Sequence, residues 1–198
     1  MASRKKGKKK INIARFMLLA AAALLLLFIF SPNEMGPKEM GPPGSDHIHA
    51  DFKVYIDGRP LNFSDSRFNE RSPYAHLHTE NFGGGDVIHI EGKIVPLSVF
   101  FESIGINITK DCITVENSSF CSTGSKKLRM FVNGKEAAQS GDYVPEDLDR
   151  ILITYGPPSK KETERQINSV TDYACMHSGK CPEREIIDEI IYGNAVKF

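Results

Sequence analysis

Phe16 to Phe30 is an unbroken run of 15 apolar residues, and no such run can lie on the surface of a water-soluble domain. Extended back to Ile11, across Asn12 and Arg15, it reaches 20 residues. At about 1.5 Å per residue a helix of that length spans the roughly 30 Å hydrocarbon layer of a bilayer. Arg15 sits near the end, where its long side chain can reach the headgroups. Seven Lys and Arg and no acid precede residue 16, which holds that end in the cytoplasm by the positive-inside rule. Residues 1–10 are therefore expected as a basic cytoplasmic tail and 11–30 as a single-pass anchor in the cell membrane. Everything after the anchor is expected outside. A cleaved signal peptide is the competing reading, but "LFIFSPNEM" offers no small-x-small cleavage site.

The charge distribution fits two compartments. The chain is formally neutral, yet beyond residue 15 it carries 18 bases against 25 acids. An acidic outer part argues against nucleic-acid binding, and the basic tail lacks the aromatic interleaving that such binding uses. All four cysteines lie in the outer part, where an oxidising environment preserves disulfides. Of the three possible connectivities, the local pairs Cys112–Cys121 and Cys175–Cys181 are favoured. The sequons at Asn62, Asn107 and Asn117 are consistent with export.

Residues 31–46, "SPNEMGPKEMGPPGSD", are rich in Pro and Gly and predict an extended spacer. The globular part starts at His47, and about 150 residues suffice for one core. "HIHADFKVYID" (47–57) alternates strictly, as a strand does with one face in a core and the other in water. Asp57-Gly58 and Asn133-Gly134 are turn pairs suited to type I′ hairpins. "YAHLHTE" and "DVIHIEG" read as short strands joined by the glycine-rich "NFGGG". "VPLSVFFESIGI" predicts a short helix capped by Ser98 and ended by Gly105. "CITVENSSFC" predicts a disulfide-closed hairpin, and "EDLDRILITYG" a closing strand.

Beyond it, residues 158–198 predict a helical C-terminal appendage. It opens with a helix over Ser159 to about Ala174. Its end carries Ile186/Ile187 and Ile190/Ile191 four apart, an amphipathic pattern that can pack on the domain or meet a protein partner. Hairpin, helix, hairpin and closing strand over 47–157 predict an α+β fold, a β-grasp-like sheet with one packed helix. The end of that domain, "MFVNGKEA…GDYVPEDLDRILITYG", is similar in pattern to ubiquitin-like sulfur-carrier and soluble-ligand-binding β-grasp domains. That likeness concerns fold only, since the chain lacks a carrier's Gly-Gly tail.

Five of the six histidines fall within 43 residues: His47, His49, His76, His78 and His89. Period-2 alternation puts His47, His49 and Asp51 on one face, His76, His78 and Glu80 on another, and His89 and Glu91 on a third. If the three segments are neighbours in one sheet, these faces merge into a patch. Strands are about 4.8 Å apart, so imidazoles from two or three of them can converge on one ion at roughly 2.0–2.1 Å. The five histidines are thus candidate ligands, with Asp51, Glu80 and Glu91 as weaker ones. Nitrogen ligands with a nearby carboxylate suit Zn or Cu, and raw affinity favours Cu. Three histidines and an open position would suit catalysis, while four would close the site. His177, in "CMHSGKC", is expected as a surface residue. That stretch also fails the ligand order of a blue-copper loop.

The run "HIHADFKVYIDG … AHLHTEN … GGDVIHIEG … LSVFFESIGI … FVNGK … YVPEDLDRILITYG", with "CMHSGKCPER" after it, resembles a poorly characterised family of membrane-anchored, extracytoplasmic prokaryotic proteins, archaeal ones included. The resemblance covers residues 47–182, with "LSVFF" where a glycine is expected third. It implies no activity, although some members are labelled protein-disulfide isomerases. A thiol-disulfide oxidoreductase needs a C-x-x-C at a helix start to depress one thiol's pKa. This chain has C-x8-C and C-x5-C instead. It also lacks a G-x-S-x-G elbow and an H-E-x-x-H helix, and "NFGGGD" precedes a strand rather than a helix. Three functions are therefore expected in competition: a tethered Cu or Zn domain, a disulfide oxidoreductase, and a structural accessory of a membrane complex.

Overall fold

The computed structural model describes residues 39–181 except 82, 139 and 140, so the predicted anchor and the Ile-rich segment lie outside the described residues. The described residues form an α+β arrangement dominated by sheet. The alternating stretch becomes strand β1 (Ile48–Ile56), and the Asp57-Gly58 turn returns the chain into the short β2 (Arg59–Pro60). Both turn residues have positive φ, 49° and 77°, as a type I′ turn requires.

β1 lies at the centre of the large sheet. On one side it pairs antiparallel with β4 (Val87–Ile90), which in turn pairs with β3 (Ala75–His76). On the other side it runs parallel to the closing strand β10 (Arg150–Gly156), in register from Asp51↔Arg150 to Ile56↔Tyr155. β8 (Lys127–Val132) follows antiparallel, and its turn at Asn133-Gly134 leads into β9 (Lys135–Ala137). The sheet order is β3-β4-β1-β10-β8-β9. A separate three-stranded sheet comprises β5 (Ile106–Ile108), β6 (Cys112–Val115) and β7 (Ser118–Cys121). The Cys112–Cys121 disulfide joins directly opposed residues of β6 and β7.

The predicted helix is α1 (Leu97–Ser103). It buries Leu97, Phe100 and Phe101, and the two phenylalanine rings lie 5.3 and 6.1 Å from Phe52 of β1. Each such aromatic burial contributes about 1.5–3 kcal/mol. Ser98 does not cap the helix, which begins two residues earlier than expected, at Leu97 after Pro96. The first N–H groups are satisfied instead by backbone: Leu97 N–H donates to the Tyr143 carbonyl and Ser98 N–H to that of Gly141.

The second face of β1 departs from expectation. It does not face water, because residues 159–178 fold back across it. Ser159 caps α2 (Lys160–Ser169), and Ile167 and Val170 pack on Tyr55, Phe131 and Leu152 in a second small core. The helix stops at Ser169 rather than near Ala174, since Val170 turns extended. A one-turn helix, α3 (Ala174–His177), follows. The result is a central strand buried on both sides, with Ala50, Phe52 and Val54 in the main core and Asp51 and Tyr55 under the C-terminal strap. Backbone contacts with the domain begin before His47, where Gly41 and Gly44 N–H donate to the Lys93 and Glu91 carbonyls.

Candidate metal centre

Strand register sets three imidazoles in a row. His49 of β1 opposes His89 of β4, and His89 opposes His76 of β3. Each H-x-H pair then adds a second ring on the same face, because strand side chains repeat every two residues. His47 lies beside His49, with ring centroids 4.8 Å apart, and His78 beside His76 at the same separation. His89 occupies the middle, 4.5 Å from both His49 and His78 and nearly perpendicular to each. The three predicted segments are therefore neighbours, and their histidines form one cluster.

The sixth histidine joins them. His177, expected at the surface, lies with its ring 5.4 Å from His49 and 5.0 Å from His89. The cause is the strap. Asp51 does not point at the cluster; it is 1 % exposed and its carboxylate accepts from Thr171 Oγ1, Tyr173 N–H and Ala174 N–H at 2.5, 2.9 and 2.9 Å. Those bonds anchor the start of α3, and the Cys175–Cys181 disulfide closes the loop that carries His177 and Ser178. Asp51 is thus a docking residue for the strap rather than a ligand candidate. Its burial raises its pKa despite the three hydrogen bonds.

Hydrogen bonds select the tautomers. His49 Nδ1 lies 2.8 Å from Ser178 Oγ, and Ser178 Oγ donates to Asp147 Oδ1 at 2.7 Å. With its only hydrogen given to Asp147, the serine accepts from His49 Nδ1–H, which leaves the lone pair of His49 on Nε2. That Nε2 is 3.1 Å from His47 Nε2. Two nitrogens bound at 2.0–2.1 Å to one tetrahedral ion lie about 3.3 Å apart. The 3.1 Å separation is close to that spacing and is also the length of a hydrogen bond from His47 Nε2–H to His49 Nε2. His47, His49 and His89 offer nitrogens all within 4.8 Å of one another, a group that could hold a metal ion.

Burial keeps these rings neutral. Desolvation first, then the surrounding imidazoles, pushes the pKa of His49 down to about 4 and that of His89 to about 2. His76 is lowered too, by burial and then by His78. Protons therefore compete weakly for these nitrogens at neutral pH. Asp147 is held ionised: burial works against it, but hydrogen bonds from Lys180, Ser178 and the His49 N–H outweigh that and lower its pKa.

The remaining carboxylates stand at the rim. Glu91 Oε1 is 3.8 Å from His47 Nε2. Glu80 Oε1 is 3.7 Å from His78 Nδ1, and its other oxygen accepts from Asn69 Nδ2 at 2.6 Å. Glu70, which alternation did not single out, is closer to His78 Nδ1 at 3.3 Å. It belongs to a loop, where no periodicity marks it. Ser178 and Asp147 are equally without a signal in the sequence.

The donor set is nitrogen with peripheral carboxylate, since all four cysteines are paired in disulfides and none is free. No helix among the described residues is long and apolar enough to cross a membrane. Comparison of the chain with known protein families, curated protein sequences and solved structures finds no match.

Proposed function

We propose that this protein is a membrane-tethered, extracytoplasmic domain that binds a transition metal, Cu or Zn, through its histidine cluster. The observation that carries this reading is the His47–His49 pair. Its nitrogens are 3.1 Å apart, and the lone pair of His49 is held in place by Ser178 and Asp147. Outer hydrogen-bond partners of this type orient metal-bound histidines and raise their basicity. His47, His49 and His89 supply the ligands, with His177 beside them. The apolar run at 11–30 and the basic residues before it support a site outside the membrane, where the domain handles the metal or is stiffened by it. The parallel pairing of first and last strands at the sheet centre, with α1 packed on Phe52, supports a β-grasp-like scaffold.

Metal analysis of the full chain purified in detergent, dialysed against Zn or Cu at pH 7.5, tests the reading. At least one ion per chain is expected, and His49→Ala combined with His89→Ala should remove the ion held by His47, His49 and His89. A content far below one per chain, indifferent to those substitutions, would leave a structural accessory as the better description.

A further inference from the structure

The other H-x-H pair poses a separate problem of chemistry. His76 and His78 also bring their Nε2 atoms to 3.1 Å. Here the opposite nitrogen of each ring is committed. His76 Nδ1 is 3.1 Å from the Ser72 carbonyl oxygen, which can only accept. His78 Nδ1 faces the carboxylates of Glu70 at 3.3 Å and Glu80 at 3.7 Å, which also only accept when ionised. Both Nδ1 atoms therefore carry hydrogen, and in neutral rings both Nε2 atoms carry lone pairs. Moving one hydrogen to Nε2 relieves nothing, because a bare Nδ1 would then face a carbonyl or a carboxylate. A cation between the two Nε2 atoms, either a metal ion or a shared proton, satisfies the whole arrangement.

Resting on the reading above, we infer that a second metal ion binds at His76 and His78, so that the cluster carries two ions, one on each side of His89. Strand order separates the two pairs: His49 lies on β1, His76 on β3, and His89 on β4 between them. Glu70 and Glu80 stand behind His78 as the orienting partners of this second ion, as Ser178 and Asp147 do for the first. The environments differ. His47, His49 and His89 offer three nitrogens to the first ion, whereas His76 and His78 offer two to the second. Two protein nitrogens leave coordination positions open on the second ion. It is the weaker, exchangeable one, reachable by water or by a small anionic or nitrogen ligand.

The test counts Zn bound to the full chain in detergent at pH 7.5, by elemental analysis after gel filtration and by calorimetric titration. Two ions per wild-type chain are expected, in a tight and a weaker phase. His76→Ala with His78→Ala should keep the tight phase only, and His47→Ala with His49→Ala the weaker one only. Glu70→Gln with Glu80→Gln, at two exposed positions, should weaken the second phase about tenfold and leave the first unchanged. A single ion in the wild type that survives loss of His76 and His78 overturns the second site and keeps the first. A single ion abolished by either double substitution shows one shared centre and also overturns it; a proton between His76 and His78 would give the former result. No bound ion at all overturns the metal reading itself. The wild-type count needs no variant, so a misfolded mutant cannot obscure it.

Discussion

His49 Nδ1 and Ser178 Oγ, 129 positions apart in the chain, lie 2.8 Å apart. The contact joins the first strand of the domain to its last described loop. Through Asp147, it also determines which nitrogen of His49 is free to bind. Removing the hydroxyl should leave the fold intact and release the tautomer. Ser178→Ala and Asp147→Asn are each expected to weaken metal binding about 10- to 100-fold, read by competition against a chelator of known affinity. An unchanged affinity in both would remove the relay from the account of the site.

Asp51 should matter to stability more than to ligation. Asp51→Ala leaves Thr171, Tyr173 and Ala174 without their shared acceptor beneath the strap. Losing hydrogen bonds to a buried charged group is expected to cost about 3 kcal/mol, visible as a lower urea midpoint. His177 would be freed with the strap, so amide exchange over residues 170–178 should accelerate. Wild-type exchange in that segment would contradict the docking role.

Acidification should destabilise the metal-free domain. His49 and His89 have folded-state pKa values of about 4 and about 2, against 6.5 for an ordinary histidine. Below about pH 6.5 the unfolded chain takes up protons that the folded one refuses. Stability is therefore full above that pH and falls progressively as pH drops towards 4 and below. Urea midpoints measured between pH 7.5 and 4.5 should decline, and His89→Gln should flatten the slope. A midpoint that rises on acidification would reverse the sign.

The two disulfides should behave differently on reduction. Cys175–Cys181 closes the loop that carries His177 and Ser178, while Cys112–Cys121 staples the hairpin of the small sheet. Cys175→Ser with Cys181→Ser is expected to weaken metal binding together with stability. The equivalent change at Cys112 and Cys121 should lower stability alone. Thiol counting on the native wild type should return zero; a reactive thiol would revive the oxidoreductase alternative.

The main core has its own sensitive point at Phe100, 1 % exposed and packed edge-on to Phe52. Phe100→Ala should cost about 3–5 kcal/mol in chemical unfolding, with metal stoichiometry retained wherever the domain remains folded.

Much of this was legible along the chain. Asp57-Gly58 and Asn133-Gly134 announce their hairpins because few dipeptides accept two positive φ angles. The H-x-H pairs and "VIHIE" share a period of two, so their histidines align once the strands are adjacent. The strap was not legible. Tyr55 and Asp51 look like solvent-facing residues in an alternating strand. Only their distant partners, Ser169 for the tyrosine hydroxyl and Thr171 for the carboxylate, turn that face into an interface. Local periodicity records which face a residue takes, not what later covers it. His177 was missed for the same reason, as was Glu70, whose approach to His78 depends on a loop.

The parallel pairing of β1 with β10, and the strap that follows it, have a consequence for how the protein is made. A ribosome delivers His47 and His49 early and His89 of the neighbouring strand soon after, but β10, which pairs with the rest of β1, and the serine that orients His49 arrive about a hundred residues later or more. While the chain is emerging, its histidines can scavenge ions only loosely, as an unstructured peptide would. The finished cluster exists only after translation has passed Ser178 and the loop has been oxidised. Loading is thereby deferred to the completed molecule, and a truncated product is left without a finished site.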